Sequence, residues 1–287
     1  MNFGQIITAM VTPFDENNQI NYPVVTELMN DLISNGSDAI IVAGTTGESP
    51  TLTYQEKIDL FKHAVKVADG KYPVIAGTGS NNTAETIQLS KEAEAIGADG
   101  LLLVTPYYNK PNQAGLYQHY TTIAEATNLP IMLYNIPGRT MVHLQVDTII
   151  SLSKIDNIVS LKDSSGDLDA LSKIIKETDD HFSVYSGDDS LTLPIQAIGG
   201  TGVVSVSSHI VGNELKEMLE KFDLGDVKGA AVIHRRLLPI MRGLFMAPSP
   251  APVKAALRMK GMNVGSVRLP LVNVNDVEEQ LIRDLLK

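Results

Sequence analysis

Lys162 closes an apolar run. In the stretch 157–167, NIVSLKDSSGD, it follows Ile158, Val159 and Leu161 and precedes a turn-forming segment. An amine is costly to desolvate, so its position there asks for a reason. One reading is a strand-end ion pair, with Asp163 or Asp188 as the carboxylate. The other is a nucleophile. Burial disfavours an ammonium, and a neutral amine attacks a ketone to form a Schiff base, which makes the adjacent carbon easy to deprotonate.

Residues elsewhere could serve that chemistry. Tyr134 ends the run PIMLY and could shuttle a proton, or it is a core tyrosine with a bonded hydroxyl. Thr45 and Thr46 lie in Gly44-Thr45-Thr46-Gly47-Glu48, where hydroxyls and free N–H groups suit a carboxylate. The competing role is helix capping by Thr46 or Ser49. Arg139, in NIPGRT, could clamp a second carboxylate with two parallel bonds, or simply be solvated. Other patterns carry less. GTGSNN (77–82) lacks the third glycine of a dinucleotide fingerprint. Gly187-Asp188-Asp189 has aspartates suited to magnesium, but adjacent aspartates at a strand–helix junction more often cap the helix. The six histidines have no metal-ligand spacing, and the absence of cysteine excludes disulfides, zinc–thiolate sites and thiol nucleophiles.

Eight short β-branched runs must position these side chains: 5–11, 39–44, 73–77, 100–104, 130–134, 158–162, 182–186 and 202–206. Stretches of helical spacing separate most of them, as in Val24/Val25/Leu28/Met29/Leu32. Alternation of this kind predicts parallel strands with helical crossovers, and eight units point to an α/β fold of the closed (β/α)8 TIM-barrel type. An open doubly wound sheet is the competing architecture. In a barrel the active face lies at the C-terminal strand ends, where Lys162, Tyr134, Thr45 and Thr46 stand. Side-chain alternation predicts Ile158, Ser160 and Lys162 inward, Val159 and Leu161 outward, and Met132 and Tyr134 inward. After about residue 210 the sequence reads as helices, with Pro248, Pro250 and Pro252 as a rigid joint. We expect a catalytic barrel over 1–224 and a helical C-terminal region over 225–287.

Composition narrows the partners. The chain has 287 residues, 44% of them apolar, enough for a large core, and its net charge of −10 argues against nucleic acid. No stretch is long enough to span a bilayer, and the N-terminus shows no basic region, so a cytoplasmic protein is expected.

Together, GTTGESPTL (44–52), VTPYYNKPNQAGLYQHY (104–120), YNIPGRT (134–140), LKD (161–163) and SGDD (186–189) closely resemble the 4-hydroxy-tetrahydrodipicolinate synthases, within the pyruvate-dependent aldolases. The likeness runs from TAMVTPF to RLPLV, nearly the whole chain. It implies a (β/α)8 barrel that condenses pyruvate with aspartate semialdehyde in lysine and diaminopimelate biosynthesis, without metal or organic cofactor. It further implies that Lys162 forms the pyruvate imine and that Tyr134, Thr45 and Tyr108 form a hydroxyl relay. Thr46 would bind the pyruvate carboxylate, Gly187 and Val204 would line the site, and Arg139 would hold the semialdehyde carboxylate. Tyr108 would reach a neighbouring subunit, implying a homodimer and usually a tetramer of two dimers. Relatives that cleave sialic acid or keto-deoxy sugar acids are the alternative, as is a non-catalytic pyruvate or lysine sensor; the arginine at 139 favours a short substrate with a terminal carboxylate. Inhibited members bind lysine at positions matching Ser49, Pro50, Tyr54, Lys57, Asn81, Glu85 and Tyr107. Here Pro50 replaces a small residue, and Tyr54 and Lys57 stand where histidines are found, so insensitivity to lysine is expected.

Overall fold

The computed structural model describes residues 3–287. Its centre is a closed barrel of eight parallel strands, each paired with its neighbours in sequence and the last with the first. The strands are β1 Ile6–Ala9, β2 Ala39–Val42, β3 Val74–Gly77, β4 Gly100–Val104, β5 Ile131–Asn135, β6 Ile158–Asp163, β7 Ser183–Ser186 and β8 Gly202–Ser205. All eight apolar runs are therefore strands, and closure excludes the open sheet. Both faces of each strand are covered, which is why the runs are continuously apolar rather than alternating.

The core has two shells. Ile7, Ile41, Ile75, Leu102, Met132, Tyr134 and Val204 fill the barrel interior. A larger shell, including Ile40, Val42, Leu101, Leu133 and Leu161, packs between barrel and outer helices. The helices take their starts from local sequence. Asn21, Asn82 and Asp167 each cap one, and Thr53 with Glu56 forms a capping box at the head of Tyr54–Ala68. Neither Thr46 nor Ser49 caps that helix, so the capping alternative for these two residues fails.

Strict alternation fails at one place on β6. Ile131 pairs with Ile158 but Met132 pairs with Ser160, leaving Val159 as an extra residue in the ladder. This bulge turns Val159 into the interior and leaves Ile158 in the outer shell, the reverse of the expected assignment. Beyond the bulge the ladder is regular, and Lys162 pairs with Tyr134 on one side and Tyr185 on the other.

After β8 come the helices Ser208–Asp223, Val227–Gly243, Ala251–Met259 and Asp276–Leu285. Pro252 sits in the first turn of the third, where a missing N–H costs nothing. The segment 260–275 lies against the β2 side of the barrel through Arg268.

Candidate active site

Lys162 is 5% exposed and Tyr134 4% exposed. The amine nitrogen of Lys162 stands 4.0 Å above the centre of the Tyr134 ring. The two carboxylates proposed as its partners are engaged elsewhere. Asp163 accepts from Asn135 Nδ2 at 2.8 Å and from the Ser165 amide and hydroxyl at 2.8 and 2.6 Å. Asp188 accepts from the amide and hydroxyl of Ser190 at 2.9 and 2.8 Å, capping the short helix that follows. The ion pairs among the described residues all lie away from Lys162. The strand-end ion pair is thus excluded, and the amine is left facing a cavity.

That cavity, of about 380 Å³, gathers Thr45, Thr46, Tyr134, Arg139, Lys162, Gly187 and Val204. Gly187 is there because nothing larger fits. A Cβ on it would lie 2.1 Å from Ser164 Oγ and 3.1 Å from Lys162 Cε, and its amide bonds to Asp163 O at 2.6 Å. β7 is in this way drawn tightly against the lysine. The second aspartate of the pair, Asp189, is not a cap. It is buried and accepts from Ser205 Oγ and from the amides of Val206 and Ser207, both at 3.0 Å. Burial raises its carboxyl above the usual range while these bonds oppose the shift. Its effect is to fix the end of β8, so that Val204 in the strand and Val206 just beyond it line the cavity wall. Met241 and Arg242, from the end of helix Val227–Gly243, and Phe245 and Ser249, just beyond it, also line the cavity. No local pattern marked them, because their place depends on how that helix crosses the barrel mouth.

Tyr108 is not in this cavity. It is 88% exposed, with a left-handed backbone (φ 73°), on the loop after β4. With Tyr107, Lys110, Arg139 and Met141 it borders a surface groove.

A second cavity of about 240 Å³ shares Thr45, Tyr134 and Arg139 with the first and is also lined by Ser49, Pro50, Lys57 and Tyr107. Asn81 adjoins it, donating to Tyr107 O at 3.0 Å. Lys57 lines the cavity; burial lowers its pKa, with the Glu85 carboxylate acting in the opposite direction. Glu85 and Tyr54 are both exposed, Tyr54 at the head of Tyr54–Ala68.

His119 and His209 are buried structural residues. His209 accepts from the Val11 amide at 3.2 Å and bonds Val206 O through its other nitrogen at 2.8 Å. Among the described residues no cluster of three or more His, Cys, Asp or Glu could hold a metal ion, and no helix is long and apolar enough to cross a membrane.

A closed parallel barrel with a buried lysine at the end of β6, over a tyrosine ring, defines a barrel enzyme of the Schiff-base-forming aldolase class. Comparison with known proteins narrows this. The chain belongs to the dihydrodipicolinate synthetase family, whose profile matches residues 2–287. It is 59% identical to 4-hydroxy-tetrahydrodipicolinate synthase 1 of Halalkalibacterium halodurans over 98% of this chain and 95% of that protein. A crystal structure of a dihydrodipicolinate synthase from Bacillus anthracis superposes with a TM-score of 0.98 at 54% identity, covering 100% and 98% of the two chains. Another, the Cyanidioschyzon merolae enzyme with lysine bound, gives 0.98 at 48% identity, covering 99% and 97%.

Proposed function

We propose that this chain condenses pyruvate with L-aspartate 4-semialdehyde to give (S)-4-hydroxy-2,3,4,5-tetrahydrodipicolinate, with Lys162 as the nucleophile. The observation that carries the assignment is the Lys162 amine above Tyr134, ion-paired to no carboxylate among the described residues, in one cavity with Thr45, Thr46 and Arg139. The Lys162 amine attacks C2 of pyruvate, and loss of water leaves the imine. Loss of a C3 proton gives the enamine, with Tyr134 as proton carrier. The enamine carbon attacks the aldehyde and the resulting alkoxide takes a proton. The substrate's own amine then attacks C2 and expels the lysine as the ring closes, so one water is released overall. These steps draw on the lysine amine and the Tyr134 hydroxyl and require no cofactor. Thr46 holds the pyruvate carboxylate, Gly187 and Val204 form the wall, and Arg139 receives the carboxylate of the second substrate.

Tyr108 joins Tyr134 and Thr45 in the relay by reaching the cavity of a neighbouring subunit, which its exposure on this chain supports. The working unit is then a homodimer, and two dimers form a tetramer. A cytoplasmic location suits these small soluble substrates, and the helical region is taken as 225–287. Ser49, Pro50, Tyr54, Lys57, Asn81, Glu85 and Tyr107 correspond to the lysine-binding positions of inhibited relatives, and Lys57, which lines the second cavity, makes it unfavourable to lysine here.

Borohydride reduction with pyruvate, followed by peptide mass mapping, tests the nucleophile. One three-carbon adduct per chain is expected on Lys162, absent in Lys162→Ala; an adduct mainly on another lysine would overturn the mechanism. Arg139→Ala should still trap pyruvate while using the semialdehyde roughly ten- to a hundred-fold less well, the worth of one charge-assisted contact.

A further inference from the structure

The loop carrying Thr45 and Thr46 ends at Glu48, whose carboxylate is buried against the C-terminal region. Lys254 Nζ lies 2.6 Å from Glu48 Oε1, and both side chains are 0% exposed. Glu48 Oε2 accepts from the Arg268 backbone amide at 2.8 Å. Lys254 also donates to Ser266 O at 2.9 Å and stands 4.2 Å over the Phe14 ring, which the Arg268 guanidinium approaches equally. Arg268 forks onto Glu56 at 2.6 and 3.0 Å and donates to Thr51 O at 2.9 Å. Three segments remote in sequence meet in this knot: the one after β1, the stretch 48–56 that leads from β2 into Tyr54–Ala68, and 254–268.

The arrangement is costly. Burial pulls the Lys254 ammonium down to about 8, against the attraction of Glu48. Buried ion pairs are commonly matched in stability by apolar residues of similar volume. Glu48 is also held in a left-handed conformation (φ 58°, ψ 35°), which is unfavourable for a non-glycine residue. What the knot fixes is geometry. The Glu48 amide bonds Thr45 O at 3.0 Å, the Ser49 amide bonds Gly44 O at 3.2 Å, and Gly47 O accepts from Thr12 Oγ1 at 2.6 Å. The turn holding Thr45 and Thr46 therefore has its far end tied to the C-terminal region, while neither Glu48 nor Lys254 lines the cavity.

We propose that Glu48 and Lys254 are positioning residues: the buried pair fastens the C-terminal region to the β2 loop and so aims Thr46 at the pyruvate carboxylate. This rests on the pyruvate reading of the Lys162 cavity. The helical region thereby acts on the chemistry through the barrel loop, in addition to covering the barrel.

The test is the double variant Glu48→Gln/Lys254→Met, which removes both charges and leaves neither orphaned. Its melting temperature should stay near that of the wild type. The pyruvate KM should rise about ten-fold, with borohydride trapping at low pyruvate slowed in proportion and the semialdehyde KM unchanged. A merely structural pair would change the folded fraction and the apparent kcat, not the pyruvate KM alone. Should the double variant fail to fold, Arg268→Ala keeps the ion pair but loosens its anchor, and about a three-fold rise in pyruvate KM is expected. Either variant, folded and with a wild-type pyruvate KM, would overturn the inference. Absence of an adduct in the wild-type protein would instead remove the pyruvate reading, and the inference with it.

Discussion

Lys162 owes its proposed role to what its neighbours are doing. Asp163 and Asp188 both have donors from their own loops, so the amine is not neutralised by either. The same principle, a polar group defined by its partners, gives the buried histidines an opposite character. His209 accepts one backbone bond and makes another, an arrangement that a single neutral tautomer satisfies, and burial depresses its pKa from 6.5 to about 4. Between those values the unfolded chain binds the proton and the folded chain does not. The stabilisation is therefore complete above about pH 6.5 and is lost as pH falls toward 4, by about 3 kcal/mol across that range. His209→Gln can keep both bonds without titrating. The unfolding free energy of the wild type, relative to this variant, should fall over the same interval; a pH-independent difference would show an imidazole with an ordinary pKa. His119 is likewise depressed to about 4 by burial and contributes in the same direction to both proteins.

The elements position the site by close backbone approach. β2 and β3 meet so tightly at Gly77 that a Cβ there would lie 2.4 Å from Ala43 O and 2.9 Å from Gly44 N, atoms that cannot swing aside. Ala43 has φ 52°, and left-handed non-glycine residues recur at Glu48, Tyr108 and Met141, on loops at the C-terminal barrel face. Strain of this kind persists where surrounding structure imposes it, often around functional sites. Gly77→Ala should destabilise the protein by at least about 2 kcal/mol and, by shifting the backbone that leads into Thr45, weaken pyruvate binding. Thermal unfolding with pyruvate titration measures both; unaltered melting would mean the strands can separate at little cost. The β6 bulge is a related device. It reverses Ile158 and Val159, yet the regular ladder that follows pairs Lys162 with Tyr134.

At the scale of the molecule, the single chain leaves Tyr108 exposed beside a groove bordered by Arg139 and Met141. If Tyr108 serves the neighbouring subunit, each site draws on two chains. Tyr108→Phe and Lys162→Ala should each be poorly active alone, and heterodimers formed by mixing should recover activity in the one site that combines intact copies of both. No recovery, with exchange verified by mass, would place Tyr108 outside the relay. The second cavity bears on the proposed insensitivity to lysine. Lys57 lines it, and a cationic ligand at ~4–6 Å would meet repulsion of about 3–4 kcal/mol at an effective dielectric near 20, enough to remove micromolar affinity. Initial rates at sub-saturating pyruvate should be unaffected by millimolar lysine; half-inhibition at sub-millimolar lysine would show that Glu85 neutralises Lys57 in place.

The sequence alone determined the eight strands, their alternation with helices and the residue types that stand at the strand ends, while closure into a barrel was decided by the tertiary structure. Continuous β-branched runs alternating with helical spacing admit few parallel folds, and the reactivity of a lysine, tyrosine or arginine is a local property of its side chain. Tertiary structure decided everything that depends on a distant partner. Alternation predicted the wrong faces for Ile158 and Val159, because a bulge is set by pairing with β5 rather than by β6 itself. Whether Lys162 was ion-paired could not be read while Asp163 and Asp188 had no visible donors, and Asp189 passed for a cap until β8 closed over it. Glu48 and Arg268 are 220 residues apart and share one buried carboxylate contact. Spacing along the chain carries no signal of such a contact, since it exists only when the C-terminal region folds back across the barrel.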